Sequence, residues 1–252
     1  MWTQLDGLRW VLLALIPFIF LQRIFHRELQ AVFLLITRRA EIALVIFSVL
    51  FLPGVLLHET SHYLMAKILQ VRTGRFSLIP RRTDDGRLLM GFVETAPTDI
   101  LRDALIGAAP LLLGGLFVAF AGRSRLGLLL LWDAFSSGDL PTAFAGLVAV
   151  YEQPDFWLWF YLTVAVSSTM LPSENDRRAW LPVLFVVTLL IGLGALAGAG
   201  PWMIENLAPV FNNTLRASAV VLAMSFGVHL VVLIPTLLLR RVLSQAFNLD
   251  VV

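Results

Sequence analysis

Long apolar stretches separated by short polar ones dominate the chain, and this pattern predicts helices that span a membrane. A helix rises about 1.5 Å per residue, so a bilayer core of roughly 30 Å needs about 20 apolar residues. About six stretches approach that length: Leu8–Phe25, Ala40–Leu69, Ala104–Ala121, Phe156–Leu171, Trp180–Gly198 and Ser218–Leu239. Two other apolar runs, Leu126–Trp132 and Leu140–Val150, are too short to cross and are expected to be interfacial or re-entrant. We therefore predict an all-α polytopic membrane protein that forms a single domain over residues 1–252.

The segment between the second and third predicted helices has a different pattern. Arg75–Pro80 and Arg87–Glu94 flank Thr83-Asp84-Asp85-Gly86, a cluster of turn-forming residues. This arrangement predicts a small β-hairpin at the membrane surface. An ordinary basic surface loop is the alternative.

Composition supports the membrane class and narrows the chemistry. Of all residues 58% are hydrophobic and only 14% are charged, against roughly 45–50% and about 25% in soluble domains. These values exclude a disordered chain, a coiled coil and a disulfide scaffold, and they make the lipid bilayer the expected surroundings. The net charge of +2 indicates no nucleic-acid partner. Because the chain has no cysteine, any metal site must use imidazole and carboxylate ligands.

The basic residues indicate an orientation for the predicted helices. If the hairpin is cytoplasmic, six spans place Arg9, Arg240 and Arg241 on the hairpin side and Arg216 on the opposite side. Most arginine and lysine residues then face the cytoplasm, as the positive-inside rule favours.

One motif near the end of the second predicted helix carries chemistry: His58-Glu59-Thr60-Ser61-His62. Two histidines four residues apart share a helical face, so both imidazoles can reach one zinc ion at about 2.0–2.1 Å. Glu59 is rotated about 100° from His58, so it flanks the metal and can accept a proton from water. Ionisable groups in a membrane helix cost on the order of 2.5–3.5 kcal/mol each and usually mark function. A polar cluster that merely reaches the headgroups is the alternative.

A catalytic zinc site needs a third protein ligand, for which Asp176 is our choice. The fourth predicted helix is short, so Pro172 and the polar residues after it are expected near the same membrane face as His58. Ser173-x-x-Asp176 is equally a helix-capping pattern, and local sequence leaves both roles open.

Two further side chains, Glu174 and His229, are weaker candidates for the third ligand. Glu174 lies close to Asp176 in the same polar stretch. His229, in the middle of the last predicted helix, is more typical of a packed, hydrogen-bonded histidine. His26 lies in an arginine-rich turn expected on the opposite face, so we expect no role for it in the site.

These motifs together resemble the intramembrane site-2 protease family, which combines HExxH in one membrane helix with Asn-x-x-Pro…Asp-Gly in a later one. His58–His62 matches the first motif, and Ser168–Asp176, with its proline, resembles the second. Gly107–Pro110 is similar to the stretch of small residues and proline in the helix after the family's β-region. The resemblance covers roughly Val45–Trp180. Ser168 or Thr169 replaces the family's asparagine, and Arg177 replaces the glycine.

The resemblance implies a zinc-dependent endopeptidase that cuts transmembrane protein substrates near the cytoplasmic face. It implies zinc on His58, His62 and Asp176, with Glu59 as the catalytic base. We expect a multi-pass protein of a prokaryotic inner membrane, with the active site toward the cytoplasm.

Two other functions stay open. In the first, the chain is a non-catalytic, site-2 protease-like accessory or assembly subunit of a membrane complex. In the second, it is a metal transporter. Glu59 favours the enzyme, because a structural zinc site needs no base. Transport would place ionisable groups on several helices at mid-membrane, whereas the fifth predicted helix carries none. The sequence does not identify the substrate or the partners in a complex, and it does not show whether the chain forms a homo-oligomer.

Overall fold

The computed structural model describes residues 6–78, 81–82, 88–89, 91–136 and 138–248, and most of them are helical. Nine α-helices lie within these ranges: α1 Asp6–Thr37, α2 Ala40–Leu50, α3 Leu52–Ile68, α4 Ile100–Ser124, α5 Leu128–Ser136, α6 Leu140–Tyr151, α7 Phe156–Thr169, α8 Trp180–Gly194 and α9 Gly200–Phe247. A π-helical segment, Ala195–Ala199, joins α8 to α9, and Gly198 within it has a left-handed φ of 89°. The largely helical, apolar architecture agrees with the predicted class.

Fewer helices than the expected six meet the length and composition of a membrane span. By length and composition, three helical segments of the described chain could cross a bilayer: Asp6–Thr37, Ile100–Ser124 and Trp180–Phe247. The α2–α3 pair, bent by 65°, would be a fourth if it counts as one span. Helix α7 has only 14 residues, and the fifth and sixth predicted spans both fall within Trp180–Phe247, which is kinked at Gly198. The count of about six is therefore not confirmed.

The most extensive helix interface joins α1 and α9, which run side by side in the same direction. Asp6 pairs with Arg216 at 2.6 Å near one end, and Glu28 pairs with Arg240 at 2.5 Å near the other. Six crossings would make the first and last helices antiparallel, with Arg9 and Arg216 on opposite sides. That part of the expected arrangement is wrong, because the Asp6–Arg216 pair places them at the same end.

Helices α3 and α7 run opposite to α1 and α9. One buried cluster contains Phe25, Phe51, Val164 and Val228. The next contains Phe18, Met170 and Leu222, with the partly buried Leu57 packed against it. From the first cluster to the second, residue numbers fall in α1 and α9 but rise in α3 and α7. The C-terminal ends of α3 and α7 therefore lie toward the end of the bundle where α1 begins.

A small antiparallel sheet lies beside α3. Strand β1, Thr73–Ser77, pairs with β4, Phe92–Thr95, and β2, Arg81–Arg82, pairs with β3, Leu88–Leu89. The predicted antiparallel pairing is confirmed, whereas its turn at residues 83–86 lies outside the described residues. Both β1 and β4 contact α3, so the sheet adjoins the helix that carries the HExxH motif.

The two shorter apolar runs form α5 and α6, which pack against each other. Helix α6 begins after Asp139, whose carboxylate accepts a hydrogen bond from the backbone N–H of Thr142 at 3.0 Å. Hydrogen bonds from Thr142 hold the pKa of Asp139 below its usual value. An N-cap of this kind fixes where the helix starts.

Candidate metal centre

The HExxH motif lies on α3, in close contact with α7. Helix α3 begins at a bend and carries Pro53 in its first turn. One position later, a methyl group on Gly54 would overlap the backbone carbonyl of Ala165 in α7. Glycine therefore allows the two backbones to touch, and this close approach places His58 beside the C-terminal end of α7.

Each imidazole of the motif is fixed by a backbone carbonyl of another helix. His58 Nδ1 lies 2.6 Å from the carbonyl oxygen of Thr169, and His62 Nδ1 lies 2.8 Å from that of Ile106. Because a carbonyl oxygen only accepts, both Nδ1 atoms are the donors. The lone pair of each neutral ring is then on Nε2, and the two Nε2 atoms are 3.2 Å apart.

Asp176 completes the group, although it follows His62 by more than a hundred residues. Its Oδ1 atom lies 3.3 Å from His62 Nε2, and its Oδ2 atom lies 3.8 Å from His58 Nε2. Two ligands about 2.0–2.1 Å from a tetrahedral zinc ion are themselves about 3.3 Å apart. Two neutral imidazoles and one carboxylate form a donor set found in catalytic zinc sites. The residues present therefore fit a zinc ion.

Asp176 also forms the cap that the sequence left as an alternative. Its Oδ2 atom accepts a hydrogen bond from the Ser173 N–H at 2.7 Å, and its own N–H donates to Ser173 Oγ at 3.3 Å. These reciprocal bonds are those of a capping box. Since Oδ1 faces His62, the carboxylate can cap the turn and face the imidazoles at once.

Two contacts attach the Asp176 loop to α4. The backbone carbonyl of Asp176 packs so tightly against Gly107 that a Cβ atom there would overlap it. Arg178 forms two hydrogen bonds of 2.7 Å with the carboxylate of Asp103, and this partner raises the pKa of the guanidinium. The sequence did not predict this pair, and its only signal was the basic dipeptide after Asp176.

Glu59 lies in the same cavity without belonging to the donor group. A cavity of about 360 Å³ is lined by His58, Glu59, His62 and Asp176 together with residues of α4 and β4. Glu59 is buried, with 7% of its surface exposed, and Gly91 packs against it. A Cβ atom on Gly91 would lie 2.8 Å from Glu59 Cγ, so the chain before β4 covers the glutamate closely.

The other candidate ligands lie elsewhere. His229 is fully buried, accepts a hydrogen bond from Ser168 Oγ at 2.8 Å and donates one to the Ser225 carbonyl at 2.8 Å. It is the packed, hydrogen-bonded histidine that its position predicted. His26 packs against aromatic rings of α1 and α2, and Glu174 is exposed. Within the described chain, neither joins the His58 group.

The chain has no significant match among protein-family models, curated proteins or solved structures. The resemblance to the site-2 protease family thus stays a prediction from the motifs.

Proposed function

We propose that this protein is a zinc-dependent intramembrane endopeptidase that cuts transmembrane substrates near the cytoplasmic face. The observation that carries the proposal is the convergence of His58, His62 and Asp176 in a cavity that also holds Glu59. A zinc ion bound there would supply a Lewis acid that activates water and polarises a peptide carbonyl.

Glu59 is the catalytic base in this proposal. It follows His58 directly on α3, so its side chain emerges beside the metal ligands instead of among them. Its carboxylate accepts the proton of the attacking water and returns it to the nitrogen of the leaving amine. A non-catalytic subunit with a structural metal would need no such buried acid, and this favours the enzyme.

The surroundings of the cavity fit a substrate that enters from the membrane. Peptide groups in a lipid-embedded helix are already paired, so cleavage requires local unwinding, and the freed groups need new partners. Phe92, Val93 and Thr95 of β4 line the cavity. We propose that an unwound segment pairs with the edge of the β1–β4 sheet, as peptides do in β-strand addition.

The cytoplasmic orientation is part of the proposal. Basic residues lie at the end of the bundle that holds the site, among them Arg9, Lys67, Arg178 and Arg216. A smaller number lie at the other end, among them Arg27, Arg38, Arg125 and Arg240. The positive-inside rule favours the site end as cytoplasmic.

The test separates metal binding from hydrolysis. We expect the chain, purified without added metal, to hold about one zinc per molecule, and His58→Ala to lose most of it. Glu59→Gln keeps its zinc but no longer cleaves a transmembrane substrate in proteoliposomes, because an amide accepts no proton. Glu41→Gln, the same change on the exposed surface of α2, is the matched control and keeps both properties.

Three results would contradict the proposal. A chain without zinc, or a Glu59→Gln variant that cleaves as fast as the native protein, would exclude the mechanism. A zinc-loaded native chain that cleaves no transmembrane segment would favour the accessory subunit.

A further inference from the structure

The carbonyl that holds His62 lacks its usual helical partner. In an α-helix the carbonyl of residue i accepts a hydrogen bond from the N–H of residue i+4. For Ile106 of α4 that residue is Pro110, which has no N–H. Pro110 is fully buried, and the Ile106 oxygen accepts its hydrogen bond from His62 Nδ1 at 2.8 Å.

The carbonyl that holds His58 is available for a similar reason. Thr169 is the last residue of α7. Pro172, three residues on, has no N–H to form the hydrogen bond of a 3₁₀ turn with the Thr169 carbonyl. The N–H of Ser173, four residues on, donates to Asp176 instead. The Thr169 oxygen is left to accept from His58 Nδ1 at 2.6 Å.

We propose that Pro110 and Pro172 are positioning residues for the metal ligands. Each withholds an N–H from one carbonyl, and that carbonyl fixes an imidazole as the Nδ1–H tautomer, with its Nε2 lone pair toward Asp176. An imidazole with its proton on Nε2 has no lone pair there and cannot bind a metal through that atom. The inference rests on the proposed function, since it takes the two Nε2 atoms as zinc ligands.

Pro110 is the better test, because α4 continues as a helix on both sides of it. Pro110→Ala adds an N–H that competes with His62 for the Ile106 carbonyl. We expect the zinc affinity to fall by about 10- to 100-fold, as is typical when a ligand loses its orienting partner. In the metal-free protein, the ¹⁵N signals of His62 should shift from Nδ1–H toward a mixture of tautomers. Pro17→Ala, the same change inside α1, should alter neither.

A second variant separates the missing N–H from the packing of the ring. Replacing Pro110 by lactic acid, through nonsense suppression, gives the alanine side chain with an ester oxygen in place of the N–H. We expect this variant to recover the native zinc affinity to within about twofold and the Nδ1–H signal of His62.

The outcomes distinguish the inference from the proposed function. Native zinc affinity and an unchanged His62 tautomer in Pro110→Ala would overturn the inference, as would an ester variant that behaves like Pro110→Ala. A native chain that binds no zinc would overturn the proposed function and, with it, the description of the two histidines as metal ligands. The His62 tautomer of the metal-free Pro110→Ala protein would still decide whether the proline sets it.

Discussion

The hydroxyl of Ser168 donates a hydrogen bond to Nε2 of His229, 2.8 Å away, inside the helical bundle. The same serine offers its carbonyl to Gln22 of α1 at 2.5 Å. Its neighbour Thr169 provides the carbonyl that orients His58. The end of α7 is therefore attached to α1 and α9 one residue away from a contact of the candidate metal centre, which connects the packing of the bundle to the site.

We expect His229→Phe to lower the free energy of unfolding by about 1–3 kcal/mol. Phenylalanine keeps the ring contacts with Phe18 and Phe25, but it removes the acceptor for the buried Ser168 hydroxyl. Adding Ser168→Ala removes the stranded hydroxyl too, so the double variant should recover most of the loss. Denaturation in detergent measures this. A double variant no more stable than His229→Phe would contradict the pairing.

Asp176→Asn should separate the two roles of this side chain. Asparagine can accept the Ser173 N–H as aspartate does, but it is a poor substitute for an anionic ligand. We expect the metal-free protein to melt as the native one does. The zinc affinity should fall by at least about 100-fold, since groups that only orient a ligand already contribute about 10- to 100-fold.

Ser173→Ala is the converse control for this prediction. It removes the hydroxyl that accepts the Asp176 N–H and leaves the carboxylate in place. We expect it to lower stability by about 1 kcal/mol and to keep zinc. Equal zinc affinities for native protein and Asp176→Asn would assign Asp176 to capping alone.

What the sequence could predict depended on how local each feature is. The His58–His62 spacing is a property of one helix turn, so it identifies a shared face without any tertiary information. Asp176 was a harder choice, because ligation and capping use the same residue type at the same place. The structure has both at once, since one oxygen bonds to Ser173 while the other faces His62.

Features that depend on direction or on the backbone were not predictable. Hydropathy indicates the length of an apolar helix but not its direction in the bundle, so it does not predict that α1 and α9 run parallel. The Ile106 and Thr169 carbonyls are backbone groups that every residue has, and only the fold selects these two. Asp103 and Arg178 are separated by 75 positions and meet only in three dimensions.

Gly107→Ala tests whether the close contact between α4 and the Asp176 loop holds the site together. The added methyl group would overlap the Asp176 carbonyl, so the loop must move. We expect a loss of about 1–3 kcal/mol in stability and a clear fall in zinc affinity. Gly115→Ala is the matched control on the same helix, because its methyl group would meet Val221 only at 3.8 Å. It should be neutral or stabilise α4 by up to about 1 kcal/mol.

Zinc titration and melting of both variants provide the comparison. An equal effect of the two alanines would mean that α4 tolerates the methyl group at Gly107. The packing of Asp176 against α4 would then have no part in holding the ligand.

The last prediction concerns which substrates are cut. Under the proposed function, a transmembrane helix must unwind before its peptide bond reaches Glu59, so residues that weaken the helix beside that bond should speed cleavage. Replacing an alanine by glycine in a helix costs about 1 kcal/mol, which corresponds to about a fivefold change in rate. We expect at least that difference between a leucine-rich segment with alanine near its cytoplasmic end and the same segment with glycine there.

The comparison uses matched substrates of equal length in proteoliposomes, with the Glu59→Gln protein as the blank. The matched control moves the glycine to the opposite end of the segment. Its cleavage rate should equal that of the segment with alanine, because unwinding at that end exposes no bond to the cavity. Equal rates for all three segments would contradict unwinding as the limiting step. Cleavage confined to soluble unfolded chains would exclude membrane substrates altogether, while the zinc chemistry at His58, His62 and Asp176 would remain open to its own tests.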